Sequence, residues 1–112
     1  VLSDDGSTDN SPQICDDYAA KDDRITVIHH ERNMGVSKTR NDGLAIVKGE
    51  YIAFVDGDDY VAPSMIEDCL FTIQKEQVDV VVFDIGVLEN GTIIPRHMDD
   101  AILSILKVHI LL

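Results

Sequence analysis

The chain has 112 residues, 45% of them hydrophobic and 27% charged, a soluble globular composition that argues against disorder or a fibrous repeat and suits one domain at most. Twenty-one acidic residues against nine basic give a formal net charge of −12, which argues against unaided binding to nucleic acid or an anionic membrane. A phosphorylated ligand would need a divalent cation to reverse the local sign. The longest apolar-rich stretch, residues 101–112, is interrupted by Lys107 and His109 and is shorter than the roughly 20 residues a membrane span requires.

Val1 and Leu2 run straight into Asp4-Asp5-Gly6-Ser7-Thr8-Asp9, the pattern of a buried strand opening into a loop. Ser11 is expected to cap a helix with Pro12 at its first position, ending near Lys21, with Ile14, Cys15, Tyr18 and Ala19 on one face. Residues 25–30 are β-branched enough for a second strand, and Asn33-Met34-Gly35 forms the core of the loop that follows. Ser37 is placed to cap the next helix, which carries Arg40, Asn41, Leu44, Ala45 and Ile46 and stops at Gly49.

The continuous apolar run Tyr51-Ile52-Ala53-Phe54-Val55 predicts a third strand covered on both faces, delivering the chain to Asp56-Gly57-Asp58-Asp59. Pro63 and Ser64 start a helix through roughly Gln77, with Ile66, Leu70 and Ile73 inward, and residues 78–83 read as a fourth strand. Residues 87–94 read as a hairpin turning at Asn90-Gly91. A last helix is expected over residues 99–112, begun by Asp99 or Asp100, with an apolar packing face. Strands alternating with helices predict an α/β fold with a mainly parallel sheet and helices on both faces. Cys15 and Cys69 fall at apolar positions of predicted helices and outside any metal-ligand spacing, so both read as buried free thiols of a reducing compartment.

In open parallel sheets, ligands bind beyond the carboxyl ends of the strands. Three polar clusters follow three predicted strands: Asp4-Asp5-Gly6-Ser7, Asn33-Met34-Gly35 and Asp56-Gly57-Asp58-Asp59. One edge therefore gathers carboxylates, amides and small residues, and a single site explains this more economically than three coincidences. Asp56 and Asp58 flank a glycine, so both carboxylates can address one volume, where a cation would relieve their repulsion. Magnesium or manganese suits this, taking one or two carboxylates and leaving positions for phosphate oxygens and water.

Three stretches in this order and spacing carry a family resemblance. They are Ser3-Asp4-Asp5-Gly6-Ser7-Thr8-Asp9, then Asn33-Met34-Gly35-Val36-Ser37 with Thr39-Arg40-Asn41-Asp42-Gly43, then Gly49 to Asp59. Over residues 1 to about 85 the chain resembles the inverting glycosyltransferases of family 2, which have the nucleotide-diphospho-sugar fold called GT-A. The resemblance implies that Asp4 and Asp5 sit near the base, that Arg40 helps hold the nucleotide, that Asp56 approaches the ribose, and that Asp58 holds the metal, with Asn33 and Gly35 shaping the loop beside the ligand. It implies Mn2+ or Mg2+ as cofactor, a nucleoside diphosphate sugar as donor, a UDP-sugar first among them, and a glycan or lipid-linked hydroxyl as acceptor. It also implies bacterial polysaccharide or cell-envelope synthesis at a cytoplasmic location, with association at the inner membrane face through other parts left open. The family's first strand and its acceptor half with the general base find no counterpart in residues 1–112. A partial domain, inactive by itself, is therefore the expectation.

Other readings of the same residues are weaker. Asp4, Asp5 and Asp9 also suit turns and caps, and Asp9 is expected to keep that role in any case. Arg40 could be a solvated helix residue. A calcium loop beginning at Asp56 fails because Val61 stands where glycine is needed and a strand, not a helix, is predicted before it. An aspartate-nucleophile phosphatase is disfavoured by Tyr60. His29 and His30 point to opposite faces of a strand and cannot easily share an ion, so these, His97 and His109 read as surface or loop histidines. The alternative to an enzyme is a non-enzymatic or degenerate nucleotide- and metal-binding module.

Overall fold

The structure is a computed structural model and describes residues 1–83 and 85–96. The chain divides into two compact units, residues 1–49 and the residues from 50 onward.

In the first unit, strand β1 (Leu2–Asp4), helix α1 (Ser11–Ala19), strand β2 (Val27–His29) and helix α2 (Val36–Ile46) follow one another. The strands pair in parallel, with Leu2 opposite Val27, Ser3 opposite Ile28 and Asp4 opposite His29. Side chains alternate along a strand, and their neighbours show where the helices lie. His29, on the Asp4 face, reaches Asp16 of α1, whereas Ser3, on the other face, lies under Gly43 of α2. The two helices therefore cover opposite faces of the ladder, and the carboxyl ends of both strands open into loops 4–10 and 30–35.

Helix α1 carries Pro12 in its first turn, where a missing N–H costs nothing. Ser11 lies inside this helix and Asn10 occupies the cap. The preceding aspartate steadies the entry instead, since the Ser11 N–H donates to Asp9 Oδ1 at 2.9 Å. The same correction applies to Ser37, which sits within α2 behind Gly35 at the cap. On α1 the apolar face is only half covered, because Cys15 and Ala19 turn inward while Ile14 and Tyr18 stay exposed.

In the second unit, helix α3 (Met65–Glu76) has Glu67 and Asp68 in its first turn and Lys75 in its last, each the favourable sign for the helix dipole. Cys69 and Ile73, four residues apart on one stripe, are its buried side chains, at 5% and 4% exposure. Ile66, expected inside, is exposed. The helix ends on Gln77 in the left-handed conformation, and the Val78 N–H closes back on the Ile73 carbonyl at 3.3 Å, a Schellman-type stop. Strands β3 (Ile85–Glu89) and β4 (Thr92–Arg96) pair antiparallel. Asn90 and Gly91 have φ of 49° and 79°, the two positive values a tight hairpin turn of matching twist requires.

The third and fourth parallel strands expected at 51–55 and 78–83 are not formed among the described residues. A strand exists through its ladder, and neither run has one; Val55 is half exposed, so the double-faced cover inferred from its apolarity is also missing. Among the described residues the architecture is α/β, with one parallel pair, one antiparallel hairpin and three helices. Among the described residues no helix is long and apolar enough to cross a membrane. The helix expected at 99–112 lies outside the described residues.

Candidate functional site

The first two polar clusters are brought together at the carboxyl edge of the parallel pair. Asp4, the last residue of β1, is buried at 6% exposure. A buried carboxylate must be bonded, and here Oδ1 accepts from the Ser7 N–H at 3.1 Å while Oδ2 lies 3.4 Å from His29 Nδ1. The Ser7 side chain first, then the Ser7 N–H and His29, hold the Asp4 pKa below the ordinary carboxylate value against the opposing effect of burial. The Asp4 side chain thus folds its own loop into a turn.

Asp5 fastens that loop to the next one. Its Oδ1 accepts from the Met34 N–H at 2.8 Å and its Oδ2 from the Gly35 N–H at 2.9 Å. The Met34 N–H and the His30 ring contribute most to holding its pKa down at about 2. Asn33 adds a local bond, Oδ1 accepting from the Gly35 N–H at 3.1 Å. Thr39, from the first turn of α2, donates its hydroxyl to the Gly35 carbonyl at 3.1 Å.

Gly6 makes this closeness sterically feasible. Its φ is +75°, and a Cβ there would lie 2.5 Å from the Arg32 carbonyl carbon and 2.7 Å from the Asn33 nitrogen. Only glycine permits both that conformation and that approach. Gly35 adopts φ +87° and ψ 154°, a region nearly confined to glycine, and it turns the chain into α2.

Two residues that sequence reasoning passed over complete the arrangement. His30 Nδ1 lies 2.7 Å from Asp5 Oδ1, and its Nε2 lies 3.0 Å from Asp42 Oδ2. Asp42 in turn pairs with Lys38 one turn earlier on α2. His30 is therefore a loop histidine, one of the two kinds expected, but not a surface one; its side chain is only 12% exposed. Asp5 first and then Asp42 hold its pKa above the ordinary histidine value. The expected divergence of the two histidines does hold, with His29 turned to Asp4 and to Asp16 at 2.9 Å. That alternation was the available signal, since it sends His30 toward the α2 face where Asp42 waits. His29, His30, Glu31, Arg32, Met34, Lys38 and Asp42 line an open groove of about 580 Å³.

Arg40 belongs to the same unit and is exposed on α2, two residues before Asp42. Asp56 and Asp58 belong to the second unit, where residues 56–59 form a turn closed by the Asp59 N–H donating to the Asp56 carbonyl at 3.0 Å. Asp56, Asp58 and Asp59 are all exposed there, and a Cβ on Gly57 would meet nothing within 4 Å. Among the described residues no three His, Cys, Asp or Glu side chains gather into a ready-made metal cage. Magnesium and manganese are hard cations that typically take only one or two protein carboxylates, and Asp56 and Asp58 are exposed carboxylates of that chemical kind. Cys69 is buried and Cys15 half-buried, both unpaired by disulfide, and burial is the main influence raising both thiol pKa values.

An α/β ladder whose strand ends open into glycine-dependent acidic loops has the layout of a ligand-binding α/β domain. Residues 1–107 match the family described as Glycosyl transferase family 2, and the chain belongs to that family. It is 45% identical over 82 residues to glycosyltransferase GlyG of Streptococcus pneumoniae, covering 73% of this chain and 27% of that protein. The minor teichoic acid biosynthesis protein GgaB of Bacillus subtilis is 38% identical over 94 residues, covering 82% and 10%. The cholesterol galactosyltransferase of Borreliella burgdorferi is 38% identical over 81 residues, covering 72% and 22%. The chain spans about a quarter of GlyG's length and less of the other two.

Proposed function

We propose that the chain supplies the donor-nucleotide side of a GT-A glycosyltransferase that moves a hexose from a nucleoside diphosphate, uridine diphosphate in the first instance, to an acceptor hydroxyl with inversion at the anomeric carbon. The observation that carries the reading is the fastening of loop 33–35 by Asp5 at the carboxyl edge of the parallel pair, in a chain of glycosyltransferase family 2. Preformed loops of this kind lower the ordering cost of binding a ligand. In this reading Asp4 and Asp5 act at the base end by holding the loops in place, Asn33 and Gly35 shape the rim, and Arg40 offers its guanidinium to the nucleotide.

Asp56 is assigned to the ribose, and Asp58 is the residue that would hold magnesium or manganese. When bound, the ion would supply Lewis-acid stabilisation of the charge that develops on the departing diphosphate. Its positive charge also explains how a chain of net charge −12 accommodates a diphosphate at all. We assign the acceptor hydroxyl's proton to a general base that is none of the residues named above. Relatives named for teichoic acid biosynthesis and for galactosyl transfer to cholesterol support a cell-envelope role, with a glycan or lipid acceptor. We place the reaction in the bacterial cytoplasm, at the inner face of the membrane.

Calorimetric titration of the protein with uridine diphosphate tests the mechanism. Affinity should improve at least about tenfold when manganese is present, about 1.4 kcal/mol, and Asp58→Asn should remove most of that gain. Equal affinity with and without the ion would overturn the assignment.

A further inference from the structure

We infer that His30 is a positioning residue, which by bonding Asp5 and Asp42 at once clamps the loop after β1 to helix α2 and so fixes Arg40 relative to loop 33–35. The inference rests on the nucleotide-binding reading above and deepens it.

Neutral imidazole has one N–H and one bare nitrogen, whereas an ionised carboxylate only accepts. The Asp5 carboxylate is kept ionised by the N–H groups of Met34 and Gly35, and that of Asp42 by the Lys38 ammonium. Contacts of 2.7 Å and 3.0 Å to two such carboxylates are both hydrogen bonds only when both ring nitrogens carry protons. The clamp is therefore the imidazolium form. The other charges near the ring are Glu31 and Arg32 in its own loop and Lys38 on α2. His29 looks to the opposite face, toward Asp4 and Asp16.

Removal of one proton leaves a single donor. The shorter bond to Asp5 is retained and the longer one to Asp42 is lost, because Asp42 keeps Lys38 as a partner. Helix α2, which carries Arg40, then loses the link through Asp42 and is left joined to Asp5 only at its start, where Gly35 at the cap still donates to Asp5 Oδ2. The flanking carboxylates place this event above the ordinary histidine range, so the clamp is fully closed below about pH 6.5 and opens as pH rises through the elevated value.

The test is uridine diphosphate affinity against pH, with magnesium present, for the wild type, His30→Gln and Asp42→Asn. Wild-type affinity should fall about tenfold on the alkaline side, the scale of one charge-assisted hydrogen bond lost. His30→Gln should be weaker throughout and flat with pH. Asp42→Asn should retain affinity at high pH, because its amide can donate to the bare nitrogen. Ring nitrogen shifts should show both His30 nitrogens protonated below about pH 6.5, and amide-exchange protection at Met34 and Gly35 should drop in His30→Gln. A ring singly protonated below that pH, or a wild-type pH profile left unchanged in His30→Gln, overturns the clamp. If the nucleotide binds at no pH, the nucleotide reading fails, and protection at Met34 and Gly35 decides the clamp alone.

Discussion

Adding one methyl group at each of three glycines separates the two constraints that build the loop edge. At Gly6 an alanine Cβ would stand 2.5 Å from the Arg32 carbonyl carbon, 2.6 Å from Arg32 Cα and 2.7 Å from the Asn33 nitrogen, with φ at +75°. All three obstacles are backbone atoms, so no side chain can swing aside. The left-handed conformation costs roughly 1–2 kcal/mol, and forcing a methylene into a packed space costs roughly another 1–3, a sum of roughly 2–5 kcal/mol. At Gly35 nothing lies within 4 Å and only the conformation at φ +87°, ψ 154° is penalised, by about 1–3 kcal/mol. At Gly57 there is open space and no left-handed φ, so alanine should be neutral within about 0.5 kcal/mol. Urea unfolding with the slope held as a check should rank the losses Gly6→Ala, then Gly35→Ala, then Gly57→Ala. With slopes of about 1–3 kcal/mol per molar, the first midpoint shift should approach or exceed 1 M. A Gly6→Ala midpoint equal to that of Gly57→Ala would refute the close approach of loops 4–10 and 30–35.

The described core should respond through α3. Ile73, 4% exposed, should cost about 2 kcal/mol when replaced by alanine, the low end for isoleucine, because a region with so few buried side chains can collapse into the gap; a loss under about 0.5 kcal/mol by urea unfolding would refute this. Stability should also depend on pH at both ends. Asp5 is depressed from 3.8 to about 2, so its contribution is present above 3.8 and lost as pH falls through about 2. His29 and His30 are raised, so theirs is complete below about 6.5 and lost as pH rises through the elevated values. Urea midpoints measured against pH should therefore peak between these limits, and Asp5→Asn should flatten the acid limb; an unchanged acid limb would refute the Asp5 assignment.

What was legible in the sequence was local. Pro12, Gly35, the Asn90-Gly91 pair and the apolar spacing of Cys69 and Ile73 each act within one or two turns of chain. The helices and the hairpin they announce are present close to where the residues place them. The caps slipped, by one residue to Asn10 before α1 and by two before α2, where Gly35 takes the cap position through its backbone and leaves Ser37 inside the helix. The apolar runs at 51–55 and 78–83 misled for a different reason. Apolarity reports a tendency to be covered, whereas a strand needs a partner at the correct register, and no count of valines within the run specifies that partner.

That the first two polar clusters meet at one edge was legible in the sequence, but the bonds among their residues were not. The two aspartates after β1 suggested ligand contacts, yet Asp4 is buried and turned onto Ser7, and Asp5 already receives Met34, Gly35 and His30. A carboxylate has roughly four lone-pair positions, so little of Asp5 remains for a base. Its structural consequence passes through the loops it joins. That division of labour also accounts for His30 and Asp42. Separated by 12 residues, they form no local motif, but once Asp5 acts as a fastener, its third bond needs a donor that is itself held. The histidine leaving β2 toward the α2 face is placed to be that donor, with Asp42 holding it from behind.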